Sequence, residues 1–309
     1  MAPTSLAPRL VDRSLAALGW HRSKRVVHQA RRLAAWVASP ERWPEPRLAP
    51  LGGNELCLGT LSVAVGRADP DADPVLEAGK RHNVRLAAPS FDGLLVTPER
   101  PLSFWRTVGR LAPSAGYRHG LALSGGCLTP SVGGGICLLA NALFALAARQ
   151  GWHILERHGH TLEAVPPEPN TLWGMDATVA WPDVDLVVAP REGPVRLGAR
   201  VVGDMLRLSI HATRPARTRA ELRAEDDRIE ETAEGRFRLN RVVRRVVDLR
   251  DGAELDERVI ATNRRRLLHA HERRRTCLSC GETECHARVE VPRSDREPTW
   301  GIHAAGGGR

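Results

Sequence analysis

The spacing of apolar positions changes several times along the chain. In residues 1–50, Leu15, Leu18, Val26, Val27, Leu33, Trp36 and Val37 recur near helical spacing among His21, Arg22, Lys24, Arg25, Arg31 and Arg32. That pattern predicts a basic amphipathic helix, and the Pro-rich stretch over residues 40–50 reads as a linker. Beyond Leu51 the period shortens. Residues 56–65, 84–88 and 93–97 are expected as short extended segments, and residues 121–123 as another before a turn at Ser124-Gly125-Gly126. Residues 136–150 are rich in Ala and Leu, hold no Pro or Gly, and stop at Gly151. This predicts a helix with a glycine stop, apolar nearly all round and therefore buried. Extended segments are expected again over residues 152–165, 177–181 and 186–188. Hairpins are expected across Gly203-Asp204 (residues 196–202 with 205–212) and Asp251-Gly252 (residues 236–248 with 255–262). Residues 213–234 are so rich in Arg, Glu and Asp that they read as a solvated connection. The sum is an α+β fold, a mixed or antiparallel sheet packed on a buried helix that follows a Gly-rich turn.

Composition refines this picture. The 309 residues suffice for one large domain or two small ones, with 42% hydrophobic and 26% charged positions. The net charge of +9 comes almost wholly from Arg, since Lys24 and Lys80 are the only lysines. A nucleic-acid partner is not favoured, because 4% aromatic content gives no stacking platform. No apolar run reaches the 18 residues of a membrane helix, and residues 1–22 lack an apolar stretch ending in a small-residue cleavage site. The expected location is therefore cytoplasmic. The N-terminal basic helix leaves peripheral membrane contact open beside simple packing on the main domain. The organisation expected is a basic helical appendage over 1–50, an α+β domain over 51–268, and a Cys-rich clip with a polar tail over 269–309.

Candidate chemistry gathers between residues 131 and 176. Gly133-Gly134-Gly135 allow positive φ and close backbone approach, and Cys137 opens the helix that follows. A thiol there faces the positive end of the helix dipole and unpaired N–H groups, both of which favour the thiolate. The next extended segment carries His158 and His160, so an imidazole can lie against the helix start, as in papain-like thiol enzymes. Asp176 would orient that imidazole, with Asn141 as the alternative. Backbone amides of the 133–136 turn would stabilise an oxyanion. Gly133, Gly134, Gly135, Asn141 and His158 are the candidate ligand-binding residues. The competing reading makes Cys137 a small buried residue in a tight turn.

Four separated motifs carry a family resemblance. Ser131-Val-Gly-Gly-Gly-Ile-Cys137 with its helix to Arg149, Leu155-Glu-Arg-His-Gly-His-Thr161, and Gly174-Met-Asp-Ala-Thr-Val179 resemble the VanW family. The stretch from Leu94-Leu-Val-Thr-Pro98 through Leu102-Ser-Phe104 and Val108-Gly109 to Gly116-Tyr117 is similar to that family's lead-in. The resemblance spans about residues 80–215 and implies a link to the cell envelope or to glycopeptide resistance. It selects His160 over His158. Leu138 stands where the family commonly has glutamine, which removes one potential oxyanion donor. The resulting expectation is a hydrolase or acyltransferase on an amide or ester, from a small molecule or cell-wall peptide, with Cys137 as nucleophile, His160 as base and Asp176 as orienting group. The alternative is a non-catalytic accessory or ligand-binding protein using the glycine-turn amides.

A second signal lies near the C-terminus. Cys277-Leu-Ser-Cys280-Gly has the form of a zinc knuckle, with Cys285 as third ligand. His286, His269 or His271 would supply the fourth. Structural zinc is expected at Cys277, Cys280, Cys285 and His286, with an iron–sulfur centre as the second reading. Cys57, in an apolar segment, reads as a core residue.

Overall fold

The structure, a computed structural model, describes residues 26–27, 29–40, 43, 54–66, 73–124, 127–163 and 172–267. The fold is α+β and dominated by sheet. Residues 29–38 form the first helix, α1, whose Trp36 is buried and meets Trp181 at 5.5 Å between ring centroids. Among the described residues no helix is long and apolar enough to cross a membrane.

Strand β1 (Leu56–Ala64) pairs antiparallel with β10 (Met205–Ala212), which pairs with β9 (Val195–Val202), which pairs with β2 (Leu95–Val96). The hairpin of β9 and β10 turns at Gly203, whose φ is 58°, as the Gly-Asp signal predicts. Helix α2 (Pro74–Ala87) corrects the extended reading of residues 84–88. Asp73 caps it, accepting from the Val75 and Leu76 amides at 2.9 and 3.1 Å, and Pro74 fits its first turn. Those start signals outweigh the local Val and Leu content of its last turn.

Two short strands, β3 (Leu102–Ser103) and β4 (His119–Ser124), flank helix α3 (Phe104–Val108). β4 pairs with β5 (Cys127–Val132), which leads through the glycine turn into α4 (Cys137–Arg149). Eight residues of α4 are buried, among them Leu139, Leu143, Phe144 and Leu146, in one core with Leu197, Leu206, Leu208 and Ile210 of the first sheet. β6 (His153–Glu156), β7 (Leu162–Glu163) and β8 (Val187–Ala189) follow, with β8 central in a three-stranded sheet between β3 and β6.

The chain then builds a ladder of three long strands, β11 (Thr218–Thr232), β12 (Gly235–Asp248) and β13 (Glu254–Leu267). β11 overturns the solvated-connection reading of residues 213–234. It is an edge strand whose charged side chains alternate and pair across the ladder; Arg223, for instance, reaches Glu257 at 2.8 Å. Its stability comes from pairing with β12, which its own composition does not display. β13 pairs parallel with β7, Arg266 opposite Leu162, and so docks the ladder against the segment that carries His160.

Candidate active site

Three elements converge on one point. Cys137 is the first residue of α4, His160 lies between β6 and β7, and Asp176 lies in the segment before the Ala180–Val184 bridge. Asp176 is buried, and its Oδ2 accepts from the His160 amide at 3.0 Å and from the ring Nδ1 through a short hydrogen bond. The Cys137 side chain lies near enough to that ring to help raise its pKa. With Nδ1 committed to Asp176, Nε2 is the ring nitrogen left over. Cys137 is half-buried, and its sulfur also lies 3.8 Å from the Val179 carbonyl.

The charges fit this order. Burial pulls the His160 imidazole down, but hydrogen bonds to Asp176 and Cys137 and the negative charge of both outweigh it and raise its pKa to about 9. Burial pushes the Asp176 carboxyl up, yet the His160 hydrogen bond and the charges of Arg265, His160 and Arg157 bring it to about 2. Between these values the pair is an imidazolium held on a carboxylate.

Asp176 is itself held from behind. Arg157 donates to its Oδ1 at 2.9 Å and to its backbone carbonyl at 2.7 Å, and Arg265 of β13 also reaches Oδ1. Arg157 lies over the Phe144 ring of α4 at 5.4 Å and donates to Asn263 at 2.8 Å. Asn263 in turn donates to Asn240 of β12 at 2.8 Å, and Asn240 to the Trp173 carbonyl at 2.9 Å. Asn141, one turn into α4, accepts from the Ala177 amide at 2.8 Å and ties the Asp176 segment to the helix that carries Cys137. His158 lies apart from this group: its ring turns to Glu156 at 3.1 Å on the exposed side, and its carbonyl accepts from the Thr178 amide.

The glycine turn is a packing device. A Cβ on Gly134 would lie 2.1 Å from the Gly120 carbonyl oxygen, and one on Gly133 would lie 2.2 Å from Leu111. Gly133 and Gly135 also have φ of 78° and 90°. Asn83 of α2 clamps the turn, donating to the Gly134 carbonyl at 3.0 Å and to the Arg118 carbonyl at 2.9 Å. The amides of Gly133, Gly134 and Ile136 are bonded to the carbonyls of Arg118, Ser131 and Gly133 at 2.9, 2.8 and 3.3 Å. The amides of Gly133 and Gly134 are therefore already engaged by backbone carbonyls. Among the described residues, the amides of Gly135 and Cys137 are those of the turn left without a carbonyl partner.

The sequence pattern drew no attention to Arg157, Arg265, Asn240 or Asn263. Arg157 lies inside a recognised motif, but Arg265 is one of three consecutive arginines and carries no local signal. Cys277, Cys280, Cys285 and His286 lie outside the described residues, as do His269 and His271. Among the described residues no group of three His, Cys, Asp or Glu side chains is arranged to hold a metal ion. Cys57 is exposed in β1, which corrects its core reading: the outer strand of the sheet turns that side chain to solvent.

Known proteins share the segment that carries this geometry. Residues 79–211 match the family model described as VanW like protein. The chain is 36% identical over 118 residues to the vancomycin B-type resistance protein VanW of Enterococcus faecalis (strain ATCC 700802 / V583), covering 38% of this chain and 42% of that protein. It is 31% identical over 135 residues to the protein YoaR of Bacillus subtilis (strain 168), covering 43% of each. The chain thus spans about two fifths of the length of these curated relatives. No solved structure matches it. Cys137, His160 and Asp176 all fall inside the matched segment, whereas Asn240, Asn263 and Arg265 fall beyond it.

Proposed function

Residues 79–211 belong to the VanW family, and from that premise we propose that this chain is a cysteine-dependent hydrolase or acyltransferase acting on an amide or ester of the cell envelope. The observation that carries this reading is the His160 ring held on the Asp176 carboxylate, with the Cys137 side chain near enough to help raise its pKa. The Cys137 thiolate attacks the acyl carbon and forms a C–S bond, and the displaced electron pair rests on the carbonyl oxygen. The amides of Gly135 and Cys137 face that oxyanion, a role for which Leu138 supplies no side-chain donor. Collapse of the intermediate breaks the C–N or C–O bond, and His160 passes its proton to the leaving group. Water, or an acceptor amine or hydroxyl, then loses a proton to His160 and attacks the thioester, releasing the thiol. Asp176 stays ionised throughout and holds the ring in the Nδ1–H form.

The accessory-protein alternative, in which the glycine turn cradles a ligand, draws less support because two of the three glycine amides are occupied by backbone carbonyls. The tail cysteines are read as a zinc clip apart from this chemistry, and the cytoplasm as its compartment.

Alkylation by iodoacetamide tests the nucleophile. Cys57 is exposed and serves as an internal control when adducts are mapped by mass spectrometry. Cys137 should react faster than Cys57 at neutral pH, and His160→Gln should remove that advantage. A Cys137 rate no greater than that of a free thiol of pKa about 8.5 refutes the role. Cys137→Ser and Cys137→Ala should both abolish whatever glycopeptide-tolerance phenotype the wild-type gene confers.

A further inference from the structure

A cleft of about 250 Å³, with none of Cys137, His160 and Asp176 in its lining, is walled by His153 to Arg157 and by Arg244, Arg258, Val259 and Ile260. Arg244 is fully buried there. One of its nitrogens, Nη1, donates to the Trp152 carbonyl, while Nε and Nη2 are buried without a hydrogen-bond partner. Leaving donors of a buried guanidinium unpaired is costly, and native proteins do so where a ligand, ion or water completes the set.

The charge around it is unbalanced. Asp256 is the carboxylate in reach of Arg244, at 3.7 Å. Its Oδ1 already accepts from Arg258 at 2.7 Å, and its Oδ2 from Arg191 at 2.8 Å. Three guanidinium groups thus share one carboxylate. Glu156, at the other wall, is taken by Arg32 at 2.8 Å, and Arg157 by Asp176. Burial first, and then the charges of Arg191, Arg258 and Arg244, push the His153 imidazole below its ordinary pKa against the smaller opposing pull of Asp256.

We propose that this cleft binds a small anion, a carboxylate or phosphate group, between the unpaired face of Arg244 and the guanidinium of Arg258. The anion supplies the acceptors that Arg244 lacks and the second negative charge that the cluster needs. Planar guanidinium groups suit either class of oxyanion, and the cleft has room for a group larger than a bare ion. Arg157 lines the same cleft while holding Asp176, so the site backs onto the Cys137 centre without sharing its reacting atoms.

Thermal melting of the full chain in sodium phosphate, sodium acetate or sodium chloride at matched ionic strength tests the proposal, with isothermal titration for the affinity. A saturable rise in Tm with phosphate or acetate, absent with chloride, is the expected result. Phosphate alone identifies a phosphoryl ligand, and acetate a carboxylate. The side chain of Arg258 is 54% exposed, so Arg258→Gln should fold and weaken binding at least tenfold. A response equal to that of chloride, or one that survives intact in Arg258→Gln, overturns the site.

Discussion

The coupling between His160 and its two partners has a thermodynamic consequence that can be measured without knowing a substrate. A histidine whose pKa is 6.5 in the unfolded chain and about 9 in the folded protein binds its proton more tightly when folded. That raised value stabilises the fold fully below pH 6.5, and the stabilisation is lost as pH rises through 9. A tenfold change in proton affinity is worth about 1.4 kcal/mol, so the rise from 6.5 to about 9 corresponds to about 3 kcal/mol. Asp176, at about 2, stays ionised across this window and adds nothing to the slope. Urea unfolding followed by tryptophan fluorescence at pH 6.5, 7.5, 8.5 and 9.5, at one ionic strength, gives the wild-type profile. His160→Gln should remove the excess loss of about 3 kcal/mol between the ends of that range. Cys137→Ala should give an intermediate slope, because it deletes the sulfur's hydrogen bond and charge but leaves those of Asp176. Parallel profiles for wild type and His160→Gln refute the coupling, and the acid–base role with it.

Three further outcomes follow. Gly134→Ala should destabilise the fold by about 2–3 kcal/mol, since its Cβ would meet the Gly120 backbone and neither chain segment can yield without breaking the Asn83 clamp; the urea midpoint reads this, and an unchanged midpoint counts against the packing role. Asp176→Asn should cost about 3–5 kcal/mol by leaving Arg157 and Arg265 buried without their shared carboxylate, and it should also slow Cys137 alkylation; a Tm equal to wild type runs against it. Metal analysis of the full chain should find one zinc per molecule, lost in Cys280→Ser, whereas wild-type protein with neither zinc nor iron removes the clip.

The parts of the site that local pattern reveals are those whose signals lie close together. The glycine turn, the helix stop at Gly151 and the order Cys137, His160, Asp176 all sit within one stretch, and the hairpins at Gly203 and Gly252 announce themselves by turn chemistry. Long-range support is a different matter. Arg265 and Asn263 reach the site because β13 pairs parallel with β7, and no periodicity in either strand states which partner it will take. β11 was hidden for a related reason: its Arg and Glu positions alternate as a strand requires, but high charge read alone resembles a solvated loop. The glycine turn is ambiguous from the other side: the same pattern that suits a ligand cradle also lets Gly120 and Gly134 pass in close contact.

This division bears on what the family segment can do alone. The match ends at residue 211, yet Asp176 depends on Arg265 for one of its two guanidinium partners, and Arg157 depends on Asn263 for its orientation. Cys137, His160 and Asp176 therefore all lie inside the matched segment, while part of what holds Asp176 lies outside it. Asn141 and Arg157 hold the Asp176 segment from within, and the ladder of β11 to β13 adds the rest from outside. A protein that kept the matched segment but lacked this ladder would need another cation behind Asp176. Without one, the weaker field on the carboxylate would leave its pKa nearer the ordinary value and the His160 ring less firmly oriented. The electrostatics of the Cys137 centre are in that sense a property of the longer chain.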